Sequence, residues 1–255
     1  MIENKSANAQ VDEDSFHKVL REYLLVLRFI VLDTGRDPSF NANHLLSYLA
    51  DDFIQSAAAI TFLAREGGLS VAKRELRFLI ESSIKLCFVH QQKYNSTVQE
   101  KLAEFDEELS SPSISIKRDL NLNMLPSDLR TVFSEEIGRL YGKMSGYVHL
   151  TPNQILERIA AIDAGMSLGR EGSPQVQELT NLISKGFAAS LVLLLHSVPE
   201  YVAGDLLVAQ DGSTIDSYFV GSRFVAAIDS YFDYKHERKA SLTAIQAARA
   251  SKIAF

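Results

Sequence analysis

The chain has 255 residues, 46% of them apolar and 23% charged, with 26 basic against 32 acidic side chains for a formal charge of −6. That is enough apolar material for a full core in one large domain, or one domain with an appendage, and the acidic balance argues against a uniformly positive surface for nucleic acid. A lone cysteine, Cys87, excludes an intramolecular disulfide and a cysteine-based zinc site, and fits a reducing, cytoplasmic setting.

Residues 1–10 are polar, lack the apolar segment of a signal peptide and are expected to be loose. Residues 11–208 are expected to form a helical bundle. Its first helix starts near Asp12 to Ser15, carries Phe16, Val19, Leu20, Tyr23, Leu24, Leu27, Ile30 and Val31, and stops at Thr34-Gly35-Arg36-Asp37-Pro38. A second runs from about Ala42 to Arg65 and ends at Gly67-Gly68.

Ser70 is read as the cap of a third helix, apolar around most of its circumference from Ala72 through Phe78 to Val89, which places it inside a bundle. Arg77 and Glu81 stand one turn apart on a narrow strip of that helix. Burial there requires them to pair, either as a structural ion pair or as part of a polar site. His90 points with the apolar side and reads as a packed histidine. Thr97 to Glu108 reads as an acidic helix, followed by an irregular connection to about Ser127, a place for a lid or partner contact.

From Ser127 to His149 the apolar residues Leu129, Val132, Phe133, Ile137, Leu140, Tyr141, Met144 and Val148 recur at the helical period. Gly138, Gly142, Ser145, Gly146 and His149 form a second strip, with Tyr141 at its border. Three glycines inside a helix cost roughly 1 kcal/mol each relative to alanine, so close approach is expected in return. Two readings stay open: a neighbouring helix packed on the strip, or a cleft floored by glycine and lipped by Tyr141, Ser145 and His149.

Thr151-Pro152-Asn153-Gln154 is a capping box, so the next helix begins two residues after His149 and runs to about Ala164. The imidazole thus stands at a corner where one helix end favours a cation and the next helix start favours an anion. Residues 165–172, with Arg170 and Glu171, read as a loop. A core helix from about Pro174 carries Val176, Leu179, Leu182, Ile183, Phe187, Leu191, Leu194 and Leu195, with a kink at Pro199. Its apolar run falls short of the roughly eighteen residues of a membrane span, so no membrane association is expected. His196 reads as buried and hydrogen-bonded.

Residues 209–255 read as a helical extension. Between Asp211-Gly212 and Tyr218 either a hairpin or a helix start at Ser213 fits, and the helix is preferred. The end carries Lys235, Arg238, Lys239, Arg249 and Lys252 against Glu237 alone, and reads as a solvated tail, a helix docked on another subunit, or an RNA-contacting arm. No glycine-rich phosphate loop, HExxH or GxSxG signature occurs, and no metal or cofactor is expected.

The pairing of LAREGGLSVAKRELRFLIES, Leu63 to Ser82, with YGKMSGYVHLTP, Tyr141 to Pro152, resembles an uncharacterised bacterial all-helical family with an Arg-x-x-x-Glu helix and a later Ser-x-x-x-His helix end. The resemblance covers about Asp51 to Gln154. That family is distantly similar to the HEPN domains, dimerising helical bundles that act as metal-independent ribonucleases in toxin–antitoxin and antiviral systems. HEPN nucleases carry an arginine followed within about two turns by a histidine, and no histidine here has one so placed.

The resemblance implies an all-α bundle, a homodimer, and RNA or a nucleotide as ligand. It also implies a site assembled across helices, with Arg77 clamping phosphate, Glu81 orienting it, His149 as general acid or base, and Ser145 and Tyr141 as hydrogen-bond donors. The competing expectation is a non-catalytic helical module in which those residues lock helices together and the acidic surface meets a protein partner.

Overall fold

The computed structural model describes residues 3–110, 116–149, 151–166 and 173–255. The chain is all-α, with helices α1 (Glu3–Asp33), α2 (Pro38–Ala42), α3 (Leu46–Arg65), α4 (Leu69–Gln92), α5 (Val98–Ser110), α6 (Ile116–Asp119), α7 (Ser127–Val148), α8 (Pro152–Asp163), α9 (Ser173–Leu195), α10 (Glu200–Asp205), α11 (Arg223–Tyr231) and α12 (Leu242–Lys252). Part of the expected connection after α5 and the Arg170-Glu171 loop lie outside the described residues.

α4 and α9 form the centre, with α3 and α7 on α4, α1 across α3 and α9, and α11 on α9. Composition explains the placement. α4 buries Leu76, Leu79, Ile80, Leu86, Cys87 and Val89, and α9 buries Phe187 and an unbroken run from Leu191 to Leu195. By length and composition α9 passes as a membrane-crossing helix, further than its sequence run suggested, but most of it is covered by the bundle.

The two central helices touch at a glycine. A Cβ on Gly186 of α9 would stand 2.6 Å from Leu76 Cδ1, and Leu76 is itself fully buried, so the backbone approach requires glycine. A buried hydroxyl chain runs alongside. Ser83 Oγ donates to the Leu79 carbonyl at 2.8 Å, so Ser190 Oγ must donate to Ser83 across 2.7 Å and accept from the Tyr23 hydroxyl at 3.0 Å. Every proton is used, and α1, α4 and α9 are tied together.

Several boundaries differ from the expectations. α1 already begins at Glu3, α4 is capped at Gly68 with no side-chain bond from Ser70, and Phe78 is half exposed. No helix starts at Ser213. Asp211 Oδ1 accepts from the Ser213 amide at 2.9 Å in an Asx turn, and Gly212 takes a φ of +80°, where a Cβ would strike the Glu237 carbonyl. A single antiparallel bridge, Val208 to Thr214, is all the hairpin that forms.

The basic end of the chain is neither a free tail nor an arm. Arg238, fully buried, and Arg249, 6% exposed, close on Asp229 and Asp233. Lys235 pairs with Asp205 at 3.0 Å and Lys252 with Asp216 at 2.7 Å. The local excess of cations thus answers carboxylates earlier in the extension and at the end of α10.

Candidate functional site

α4 presents Lys73, Arg77, Glu81 and Lys85 at successive four-residue steps, a polar ribbon beside its buried face. α7 runs antiparallel to it, and its Tyr147, Ser145 and Tyr141 meet that ribbon in reverse order. Arg77 Nε donates to Ser145 Oγ at 3.0 Å and Arg77 Nη2 to the Tyr141 hydroxyl at 2.7 Å. Tyr141 passes its own proton to Glu81 Oε2 at 3.1 Å, and Lys85 holds the other carboxylate oxygen at 2.8 Å. The guanidinium also lies over the Tyr141 ring, 4.8 Å from its centroid.

Four of the five expected site residues therefore meet. The fifth does not join them. His149 is the C-cap of α7, its amide bonded to the Ser145 carbonyl at 3.3 Å, and its exposed ring has no hydrogen-bond partner among the described residues. Half of the expected capping box forms: Thr151 Oγ1 accepts from the Gln154 amide at 3.3 Å, but Gln154 Oε1 is buried without a partner and does not return the bond.

Burial alone would raise the Glu81 carboxyl, but Lys85, then Tyr141 and Arg77, more than offset it and hold it below the usual carboxylate range. Burial, with the Glu81 charge behind it, raises the Tyr141 phenol. At neutral pH the group is a fixed set of cation, phenol and anion whose donors point at one another.

The glycine strip was expected to be close-packed, and it is not. A Cβ on Gly138 or Gly142 would meet nothing within 4 Å, and one on Gly146 would only touch Thr151 at 3.7 Å. Among the described residues neither a packed helix nor a glycine-floored cleft lies there, because α7 meets α4 through Tyr141, Ser145 and its apolar face. Since none of the three takes a positive φ, Gly138→Ala with Gly142→Ala should raise unfolding free energy by about 1–2 kcal/mol, read from the urea midpoint.

A second relay escaped the sequence reading. Lys73 Nζ donates to the Tyr147 hydroxyl at 2.9 Å and lies 4.4 Å from that ring's centroid, and Tyr147 donates to Glu157 Oε2 of α8 at 2.8 Å. Burial lowers the Lys73 ammonium against the pull of Glu178 and Glu157, while burial and then Glu157 raise the Tyr147 phenol. The signal was present in the spacing, since Lys73 stands one turn before Arg77. It was hidden because a lone lysine normally reads as solvated.

The relay borders a cleft of about 710 Å³ at the start of α4, also lined by Lys143, Arg158 and Glu178. Lys143 is held by Glu178, so both of the cleft's lysines are already engaged. Among the described residues no group of three or more His, Cys, Asp or Glu is placed to hold a metal. His90 and His196 are both buried, as expected, His196 with Nδ1 2.7 Å from the Val192 carbonyl.

No protein-family model, curated protein or solved structure matches the chain.

Proposed function

We propose that this chain is a non-catalytic helical interaction module that pairs with a second copy of itself through α8. One observation carries the reading. α8 buries none of its residues, and Ile155, Leu156, Ile159 and Ile162 are 46%, 62%, 48% and 63% exposed. They lie along one side of α8 at the helical period, Ile155 and Ile159 half-covered where they also line the cleft at the start of α4, while Glu157 ties α8 through Tyr147 to Lys73.

A second copy fits this stripe better than an unrelated partner does. Arg158 and Asp163 flank it on opposite sides, five residues apart, and neither has an ion-pair partner among the described residues. In a parallel two-fold helix pair that spacing lays each cation against the other copy's carboxylate. The Arg77–Glu81–Tyr141–Ser145 group then acts as the clamp that keeps α7, and α8 beyond it, fixed on α4.

The HEPN resemblance carries the other reading, an RNA-binding or RNA-cleaving component of a toxin–antitoxin or antiviral system. The open imidazole of His149 at the α7–α8 corner favours it. Against it stands Arg77, whose donors are turned to Ser145, Tyr141 and Glu81 and not to a phosphate. On the interaction reading, His149→Ala leaves both melting temperature and any RNA cleavage unchanged.

Sedimentation velocity tests self-association. The wild type should run as a dimer at micromolar concentration, and Ile159→Glu with Ile162→Glu should run as a monomer of unchanged helicity, since both side chains already face solvent. A monomeric wild type contradicts the proposal.

A further inference from the structure

α7, α9 and the start of α11 line an open cavity of about 270 Å³, which shares only Lys143 with the cleft beside α8. Its walls are apolar: Phe133, Ile137 and Leu140 from α7, Leu182 and Ala189 from α9, and Phe224 from α11. One polar group in it is unexplained. Ser222 lines the cavity and is 1% exposed, yet its hydroxyl has no hydrogen-bond partner.

Ser222 occupies the N-cap position of α11 but makes no side-chain capping bond. A serine there ordinarily accepts from an amide of the first turn, so a buried hydroxyl left idle costs free energy. The Arg223 amide is taken by the Phe255 carbonyl at 2.8 Å, whereas the Phe224 and Val225 amides have no partner among the described residues. Ser222 thus stands in the wall of an apolar hole beside the free amides of a helix start, which carries partial positive charge.

The mouth has the same sign. Arg139 and Lys185 line it, both exposed and without an ion-pair partner among the described residues. Lys143 is engaged by Glu178, the one side-chain carboxylate in the lining, Glu136, is neutralised by Arg223, and Phe255, whose main-chain oxygen holds the Arg223 amide, completes the lining.

We infer that this cavity is a binding site for a small monocarboxylate with an apolar body. The carboxylate would accept from the Ser222 hydroxyl and the free amides of α11, with Arg139 and Lys185 drawing it in, and the apolar part would fill the space between α7 and α9. The volume lies just under the roughly 300–1,000 Å³ of ordinary small-molecule pockets, which suits an eight-carbon chain or a single aromatic ring system and excludes a nucleotide.

Octanoate and octan-1-ol, the same body with and without charge, serve as probes in isothermal titration calorimetry on the full chain. Octanoate should bind saturably and octan-1-ol at least about tenfold more weakly. Ser222→Ala removes a buried hydroxyl that makes no bond in the fold, so it should keep or raise the melting temperature and weaken octanoate by about tenfold. Arg139→Glu with Lys185→Glu should weaken it further. Equal binding of the two probes, no saturable octanoate binding, or a Ser222→Ala chain that binds octanoate as well as the wild type would each overturn the assignment.

Discussion

Acidification from about pH 7 to about pH 5 should remove about 6 kcal/mol of the stability of this protein. His44, His90 and His196 are buried in the core. The rings of His44 and His90 stack at 3.9 Å, and His90 Nε2 accepts from the Leu45 amide at 3.1 Å while His44 Nδ1 accepts from the Leu46 amide at 3.2 Å. Each acceptor nitrogen must be unprotonated, so both rings are neutral in the fold, and His44 Nε2 is left to donate to the Ser197 carbonyl at 3.3 Å.

Burial pushes His44 down to about 3 and His196 to about 4, and lowers His90 further through burial and the nearby His44 and Lys101. The unfolded chain takes up these protons near 6.5. Below that point the unfolded state holds more protons than the folded one, so stability falls as pH falls, by about 1.4 kcal/mol per pH unit for each ring. Three rings together lose about 4 kcal/mol per unit, against the roughly 5–15 kcal/mol that holds a domain folded. The urea midpoint should drop steeply below about pH 6, and His90→Gln, which keeps an acceptor for Leu45 without titrating there, should flatten the drop. A midpoint unchanged between pH 7 and 5 would refute the account of the histidine stack.

Asp229→Ala should cost about 3–5 kcal/mol, the loss expected when one member of a buried ion cluster is removed and its partners stay behind. Asp229 Oδ2 accepts from Arg249 Nη2 at 2.8 Å and Nε at 3.1 Å, its other oxygen takes Arg238 Nη2, and its backbone carbonyl takes Arg238 Nη1 at 3.1 Å. Asp233 alone cannot satisfy two buried guanidinium groups. Thr214 Oγ1 also donates to Asp229 at 3.3 Å, so the loss should loosen the turn around Gly212 as well as α11 and α12. Equilibrium urea unfolding reads the cost, and a change under about 1 kcal/mol would mean the cluster is not buried as described.

What the sequence made legible follows from the range over which each signal acts. The end of α7 and the start of α8 were readable within a few residues, because capping is local chemistry: Thr151 takes the orphan amide of Gln154, and Pro152 brings no amide to satisfy. The meeting of Arg77 and Glu81 with Tyr141 and Ser145 was readable as a possibility, because a charge pair on a buried helix must find partners. Their completeness was not, since Lys85 looks ordinary until it is seen to hold the second oxygen of Glu81.

The glycines of α7 misled because cost in a helix implies compensation only where a neighbour arrives, and Gly186, inside a leucine-rich run, is where one does. The basic end misled for a different reason. Asp229, Asp233, Arg238 and Arg249 are separated by a 3₁₀ turn and a helix, and charge counted along the chain does not reveal which carboxylates fold back onto it. α8 reads as a short helix in sequence, and only its placement shows that its isoleucines are left half or more uncovered.

Self-pairing through α8 is most directly tested by disulfide trapping. Cys87 is fully buried, so a cysteine introduced on the surface provides the reactive thiol. In a parallel two-fold pair each seam position meets its own counterpart, so Ile159→Cys should yield a covalent dimer under mild oxidation. Leu102→Cys, at an exposed apolar position on α5, should stay monomeric. Equal trapping at both positions, or none at Ile159, would contradict an interface built on α8.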